Sequence, residues 1–286
     1  MATGRVTLSW WGSAKASSYR VKRGSSASGP FTTIATVSDL RSHTNVPPAG
    51  VWYYVVTSLG DAGESAPSAA VRAATTPELI VNLPLNEGTG TTAADTAGRA
   101  RNGQLAGGAG WGAGRKGGSA VSLDGKSAHV ALPADSLAQS SDFTVSLWVY
   151  WNAAATNTRV FDFGTTDIAY MALIPRDSSG RMRFTATRSH YFGEQSITAS
   201  AALPTGRWAH VAVKLMGNIG KLYLDGVQVG ETTGIVVTPF QLGDTTNTWL
   251  GRSQYGADPC FNGRLQDLRI YNGALSNAQI AALAAG

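Results

Sequence analysis

The sequence predicts an all-β chain built as a small sandwich followed by a larger one. Short runs in which apolar and polar residues alternate recur along the whole chain, separated by Gly, Ser, Asn, Asp and Pro clusters. Thirty-four glycines against 14% charged residues suit turns and sheets better than helices. At 286 residues the chain can fill two cores, and the strand pattern restarts after residues 73–77, a short linker stiffened by Pro77. The expected domains are therefore 1–76 and 77–286.

In the first domain Val6, Leu8 and Trp10 alternate with Thr7 and Ser9, and Tyr19, Val21 and Arg23 alternate with Arg20 and Lys22. Short strands follow over 31–36 and 51–58, and residues 60–65 form a turn into a last strand. Periodicity places Trp10, Tyr19, Trp52 and Tyr54 largely on inward faces, so this domain reads as a spacer. In the second domain FTVSLWVY (143–150) is a strand with two faces worth covering. Further strands are expected over 160–163, 170–174, 182–187, 210–215 and 221–224. The last turns back through Asp225-Gly226, a hairpin pair suited to positive φ. Residues 261–275 close the sheet, with Leu268 and Ile270 alternating against Asp267, Arg269 and Tyr271. After the Asn272-Gly273 turn, Ser276 caps a short helix, Gln279 completes the capping box, and Ile280 and Leu283 share one face. Ten or more short strands with one terminal helix read as a jelly roll.

Several function classes fall away. The net charge of +5 is modest and its Lys and Arg residues are scattered, so no nucleic-acid groove is expected. A single cysteine, Cys260, permits no internal disulfide and reads as a packing residue. No run of about 18 apolar residues could span a membrane. Residues 1–4 carry no export signal, which is expected upstream because the chain reads as starting inside a domain. The four histidines show no metal-binding spacing, and none of the five Glu residues has an Asp two positions on. The paired carboxylates of a glycosidase are therefore not in evidence in the sequence, and a non-enzyme is expected.

The ordered motifs VTLSW, YRVKR, SGPFTTIAT and WYYVVTSLGDAGESAPS resemble a fibronectin type III domain over residues 4–75, without that family's first strand. The motifs LPLNEGTG, GGSAVSLDG, DFTVSLWV, GRWAHVAVKL, GKLYLDGVQVG and FNGRLQDLRIYNGALS resemble a concanavalin A-like, laminin G-type domain over 78–286. That type is found attached to bacterial polysaccharide-degrading enzymes, and RVFDFG, YMALIP, EQSIT and TTNTWLGRSQYGADP resemble the version often carried by secreted actinobacterial glycoside hydrolases, including arabinose-releasing ones. The resemblance implies a secreted, non-catalytic carbohydrate-binding module for arabinose-containing or other plant or microbial glycans, beside a catalytic domain of the parent chain. It also implies a structural calcium ion at Asp95 and an acidic pair in the closing strand, here Gln266-Asp267. The competing reading has Asp95 stabilise a turn and Asp267 pair with Arg269 or Arg264. Laminin G-type domains also bind proteins and acidic glycans, so an adhesion module or a structural support for a catalytic neighbour is the alternative function.

Sugars stack their C–H faces on aromatic rings while planar polar groups bond their hydroxyls. By strand parity Trp148, Tyr150, Arg181, Arg183 and Tyr223 face away from the core and offer one candidate surface, unless loops cover Trp148. A second candidate is a loop site that mixes aromatic, cationic and amide groups. It comprises His190, Tyr191, Glu194 and Gln195 with Trp249, Arg252, Gln254, Tyr255 and Asp258.

Overall fold

The computed structural model describes residues 6–38, 41–138, 140–152 and 155–286. The chain forms two compact units, Met1–Pro77 and Glu78–Gly286. In the smaller unit Val6–Ser9 pairs antiparallel with Ser42–Asn45 as a two-stranded sheet. A second sheet runs Thr32–Val37, Ser18–Gly24, Val51–Gly60 and Gly63–Glu64, with Val71–Ala74 also on Val51–Gly60. Its core is thin, built on Tyr19, Val21, Tyr54 and Val55. Trp10 and Trp52 are only half-buried, so inward parity holds for the tyrosines and not for the tryptophans. Arg23 lies 4.2 Å over the Trp52 ring, whose indole N–H donates to the Pro48 carbonyl at 2.7 Å.

The larger unit is a sandwich of two eight-stranded sheets. One, the closing sheet, runs Gly110–Ala113, Ser119–Asp124, Asn262–Asn272, Phe143–Trp151, Trp208–Met216, Ile219–Leu224 and Val227–Thr233, with Glu78–Leu83 also on Asn262–Asn272. The other, the cleft sheet, runs Gln195–Thr198, Arg183–Thr187, Ala169–Ile174, Phe161–Thr166, Asn247–Leu250, His129–Leu132, Gly103–Ala106 and Thr92–Ala93. Alternate residues of both sheets interdigitate in one core. Phe143 of the closing sheet meets Phe184 of the cleft sheet at 6.2 Å, and Phe161 stacks on Phe163 at 4.7 Å.

Local signals are realised where they were expected. Asp225 and Gly226 take φ of 49° and 80°. The Asn277–Ala285 helix is capped by Ser276, whose Oγ accepts from the Gln279 N–H while the Gln279 side chain accepts from the Ser276 N–H. Ile280 of this helix packs with Ala212, Tyr223 and Leu275 on the outer face of the closing sheet. The parity of Trp148, Tyr150 and Tyr223 is as expected, but they and Arg183 belong to different sheets and form no single surface. Tyr223 is buried under the helix and donates to Asn277 at 2.8 Å. Trp148 is buried beneath Arg115, 3.7 Å from its ring, and beside His210.

Asn262–Asn272 sits inside its sheet, flanked by Ser119–Asp124, Phe143–Trp151 and Glu78–Leu83. Its register against Phe143–Trp151 shifts between Ser146 and Trp148, opposite Asp267, whose φ is 57°. This is a bulge: one extra residue turns the Asp267 backbone outward so that its N–H donates to Pro84 at 2.9 Å. The polar residues of the closing strand thus shape the sheet.

Candidate functional site

Asp95 accepts four backbone N–H groups, from Asn82 and Ala97 on one oxygen and from Arg99 and Arg101 on the other, at 2.9–3.3 Å. Burial works to raise its pKa, but these four donors outweigh it and hold the carboxyl below its ordinary value. Gln266 Oε1 accepts from the Arg115 N–H at 2.9 Å, and Asp267 Oδ1 accepts from Arg269 Nε at 3.0 Å. A calcium ion takes six to eight oxygens, and here both Asp95 oxygens, Gln266 Oε1 and Asp267 Oδ1 accept from N–H donors. Among the described residues no group of three or more His, Cys, Asp or Glu side chains could hold a metal.

The outer face of the cleft sheet carries a different arrangement. Phe161, Phe163, Leu173 and Phe184 point into the core, which turns Asp162, Tyr170 and Arg183 to the other side. Over them fold residues 157–159, the Tyr191–Gly193 turn and the loop that carries Tyr255 and Asp258. Together they enclose a cleft of about 310 Å³ lined by Asn157, Arg159, Tyr170, Arg183, Tyr191, Glu194, Tyr255 and Asp258.

Two guanidinium–carboxylate pairs form its walls. Arg183 Nη1 lies 2.5 Å from Glu194 Oε2, with its Nε 3.7 Å from Asp177. Arg159 Nη2 lies 2.9 Å from Asp258 Oδ2, with its Nε 3.4 Å from Asp162. Two tyrosines are packed edge to face at 5.7 Å between these pairs. Tyr170 Oη donates to Glu194 Oε1 at 2.5 Å and lies 3.2 Å from Tyr255 Oη, which donates to the Asp167 carbonyl. Burial first, and then the Glu194 carboxylate, push the Tyr170 phenol well above its usual range, so it stays a hydroxyl donor.

The rim is aromatic. Tyr191 is 53% and Phe192 82% exposed, with ring centroids 4.0 Å apart. His190, at φ 59°, sets the turn: its N–H donates to Ile168, its carbonyl accepts from Thr187, and its Nε2 lies 3.2 Å from Asp167 Oδ2. Beneath the opposite wall Asp162 is fully enclosed and accepts from the Gln254 N–H at 3.1 Å. Burial pushes its pKa up to about 7, against the pull of Arg159. Asp162 lies under Arg159 and Gln254, enclosed from solvent.

Of the nine loop residues, Tyr191, Glu194, Tyr255 and Asp258 line this cleft, and His190 sets the turn at its rim. Gln254 supports it from behind, its amide bonded to Asn247. Gln195 does not belong to it: its Oε1 accepts from the Val236 and Val237 N–H groups at 2.7 and 3.0 Å. Trp249 and Arg252 stand together elsewhere, the guanidinium 4.6 Å over the indole and His129 at its edge. Trp249 is cross-strand from Asp162, and Gln254 lies over Asp162, which leaves Trp249 outside the cleft lining. Asn157, Arg159 and Tyr170 of the lining were missed, as was Asp162 beneath it. A charge inside the apolar run Val160–Phe163 was the available signal for Asp162. A larger cleft of about 460 Å³ in the smaller unit is lined by residues 14–16 and 58–65 and has no aromatic ring. Its Glu64 is held well below its ordinary pKa, to about 2, chiefly by Lys22 and Thr57.

Comparison with known proteins agrees with this architecture. Residues 124–281 match the laminin G-type (type 3) profile of the concanavalin A-like lectin/glucanases superfamily. Domain 4 of AbnA, a GH43 extracellular arabinanase from Geobacillus stearothermophilus solved in complex with arabinotriose, is 25% identical with a TM-score of 0.64, over 73% of this chain and 98% of its own. The binding domain of Paraclostridial Mosquitocidal Protein 1 is 16% identical, TM-score 0.56, over 72% of this chain and 52% of its own. The botulinum neurotoxin serotype C1 binding domain is 17% identical, TM-score 0.53, over 72% and 51%. These two likenesses show the fold alone. No curated protein sequence matches the chain. With the profile spanning more than half of its length, the chain belongs to the concanavalin A-like lectin/glucanases superfamily.

Proposed function

We propose that the larger unit is the non-catalytic carbohydrate-binding module of a secreted bacterial polysaccharide-degrading enzyme, and that the cleft beneath Tyr191 holds the sugar. The observation that carries this is the half-exposed Tyr191 ring set beside two planar ion pairs and two tyrosine hydroxyls. A ring can stack on a sugar's C–H face while guanidinium and carboxylate groups bond adjacent hydroxyls. Arabinotriose is the first probe, since the arabinanase domain of similar fold was solved with it. The smaller unit, with its two-stranded sheet of Val6–Ser9 and Ser42–Asn45, is read as a fibronectin type III-like spacer. Retention on an arabinan affinity gel tests the module reading. Wild-type chain should be retarded and Tyr191→Ala should not, and equal migration of the two sinks the assignment of the cleft.

A further inference from the structure

The cations in the cleft are already committed. Arg183 faces Glu194 and Asp177, and Arg159 faces Asp258 and Asp162, so two guanidinium groups meet four carboxyl groups. The chain as a whole carries +5, which by bulk charge would favour acidic polymers. Within the cleft lining the charges balance, Arg159 and Arg183 against Asp258 and Glu194, with Asp162 and Asp177 beyond the lining.

Building on the reading of the cleft as a sugar site, we propose that it selects uncharged glycans and excludes uronic and other acidic sugars, with Glu194 and Asp258 as the residues that impose the selection. A sugar carboxylate could reach Arg183 or Arg159 only by displacing a protein carboxylate or lying against it. Either leaves like charges together in a partly desolvated site, where such contacts are poorly screened. A pair of sugar hydroxyls meets no such obstacle. One hydroxyl donates to Glu194 or Asp258 while its neighbour accepts from the paired guanidinium, and no charge is separated. The tyrosine hydroxyls between the walls add neutral donors and acceptors to the same surface.

Calorimetric titration of the full 286-residue chain at low salt with arabinotriose and with trigalacturonate tests the proposal. Binding counts as cleft binding where Tyr191→Ala removes it. Arabinotriose should bind at least about tenfold more tightly than trigalacturonate, a comparison that needs no variant to fold. Glu194→Gln and Asp258→Asn, each removing the carboxylate nearest a cleft guanidinium, should each improve trigalacturonate binding by about tenfold while weakening arabinotriose. Trigalacturonate binding as tightly as arabinotriose, in a manner lost in Tyr191→Ala, overturns the selectivity and leaves the sugar site standing. Unchanged ratios in both folded variants overturn the roles of Glu194 and Asp258. Binding of neither sugar removes the site and the proposal with it.

Discussion

The outer faces of the two large sheets obey the same strand parity and meet opposite fates. On the closing sheet the outward residues Trp148, His210, Lys214 and Tyr223 are buried by the Asn277–Ala285 helix and the segment around Arg115. On the cleft sheet the outward Tyr170 and Arg183 are overhung by loops that leave a cleft open. Each face also carries an ionisable group whose pKa burial shifts in favour of its neutral form. His210 is lowered to about 4 and Asp162 is raised to about 7. A polar face can therefore be sealed as a second core or left open as a cleft, and strand alternation is the same in both cases.

The largest effect that separates the faces is expected at Arg159. Arg159→Leu leaves Asp162 enclosed without its partner and should cost about 3 kcal/mol of stability, with cleft binding lost as well. Chemical denaturation and calorimetry on the same variant check both. Ile280→Ala, on the sealed face, should cost about 2 kcal/mol or more through the cavity it leaves, with arabinotriose binding unchanged. A change in binding there would mean the two faces are coupled. Tyr191→Ala should take arabinotriose binding below detection, a loss of at least about tenfold, or about 1.4 kcal/mol, with an unchanged thermal midpoint.

The pH dependence separates the faces by sign. His210 binds its proton less readily when folded, so its contribution is present above about 6.5 and is lost as pH falls toward about 4. Asp162 binds its proton more readily when folded, so its contribution is present below about 3.8 and is lost as pH rises through about 7. Between about pH 4 and 6.5 the two oppose each other. Relative to wild type, His210→Gln should make stability fall more with rising pH, and Asp162→Asn should make it rise, each by at most about 1.4 kcal/mol per pH unit. Denaturation midpoints across that window, for wild type and both variants, decide it. The smallest effect is expected from calcium. Because Asp95, Gln266 and Asp267 direct their oxygens to N–H donors, thermal melts with calcium and with chelator should coincide, and an upward shift with calcium would restore the metal site.

What could be read from the chain alone was what short-range physics decides. The Asp225-Gly226 turn needs two positive φ angles, and the Ser276–Gln279 box is closed by hydrogen bonds three residues apart. The inward parity of Phe143, Val145 and Leu147 follows from a two-residue period. The site was legible in half. His190, Tyr191 and Glu194 stand together in sequence, as do Tyr255 and Asp258, and both loops were marked by their composition. Trp249, Arg252 and Gln195 carried the same composition and went elsewhere, because composition says nothing about which side of a neighbouring strand a side chain meets. Which outer face is sealed, and which residues 159, 170, 183, 194 and 258 bring together, depends on contacts between segments tens of residues apart. Those contacts are set by sheet order and by where the terminal helix docks, and only the tertiary structure decided them.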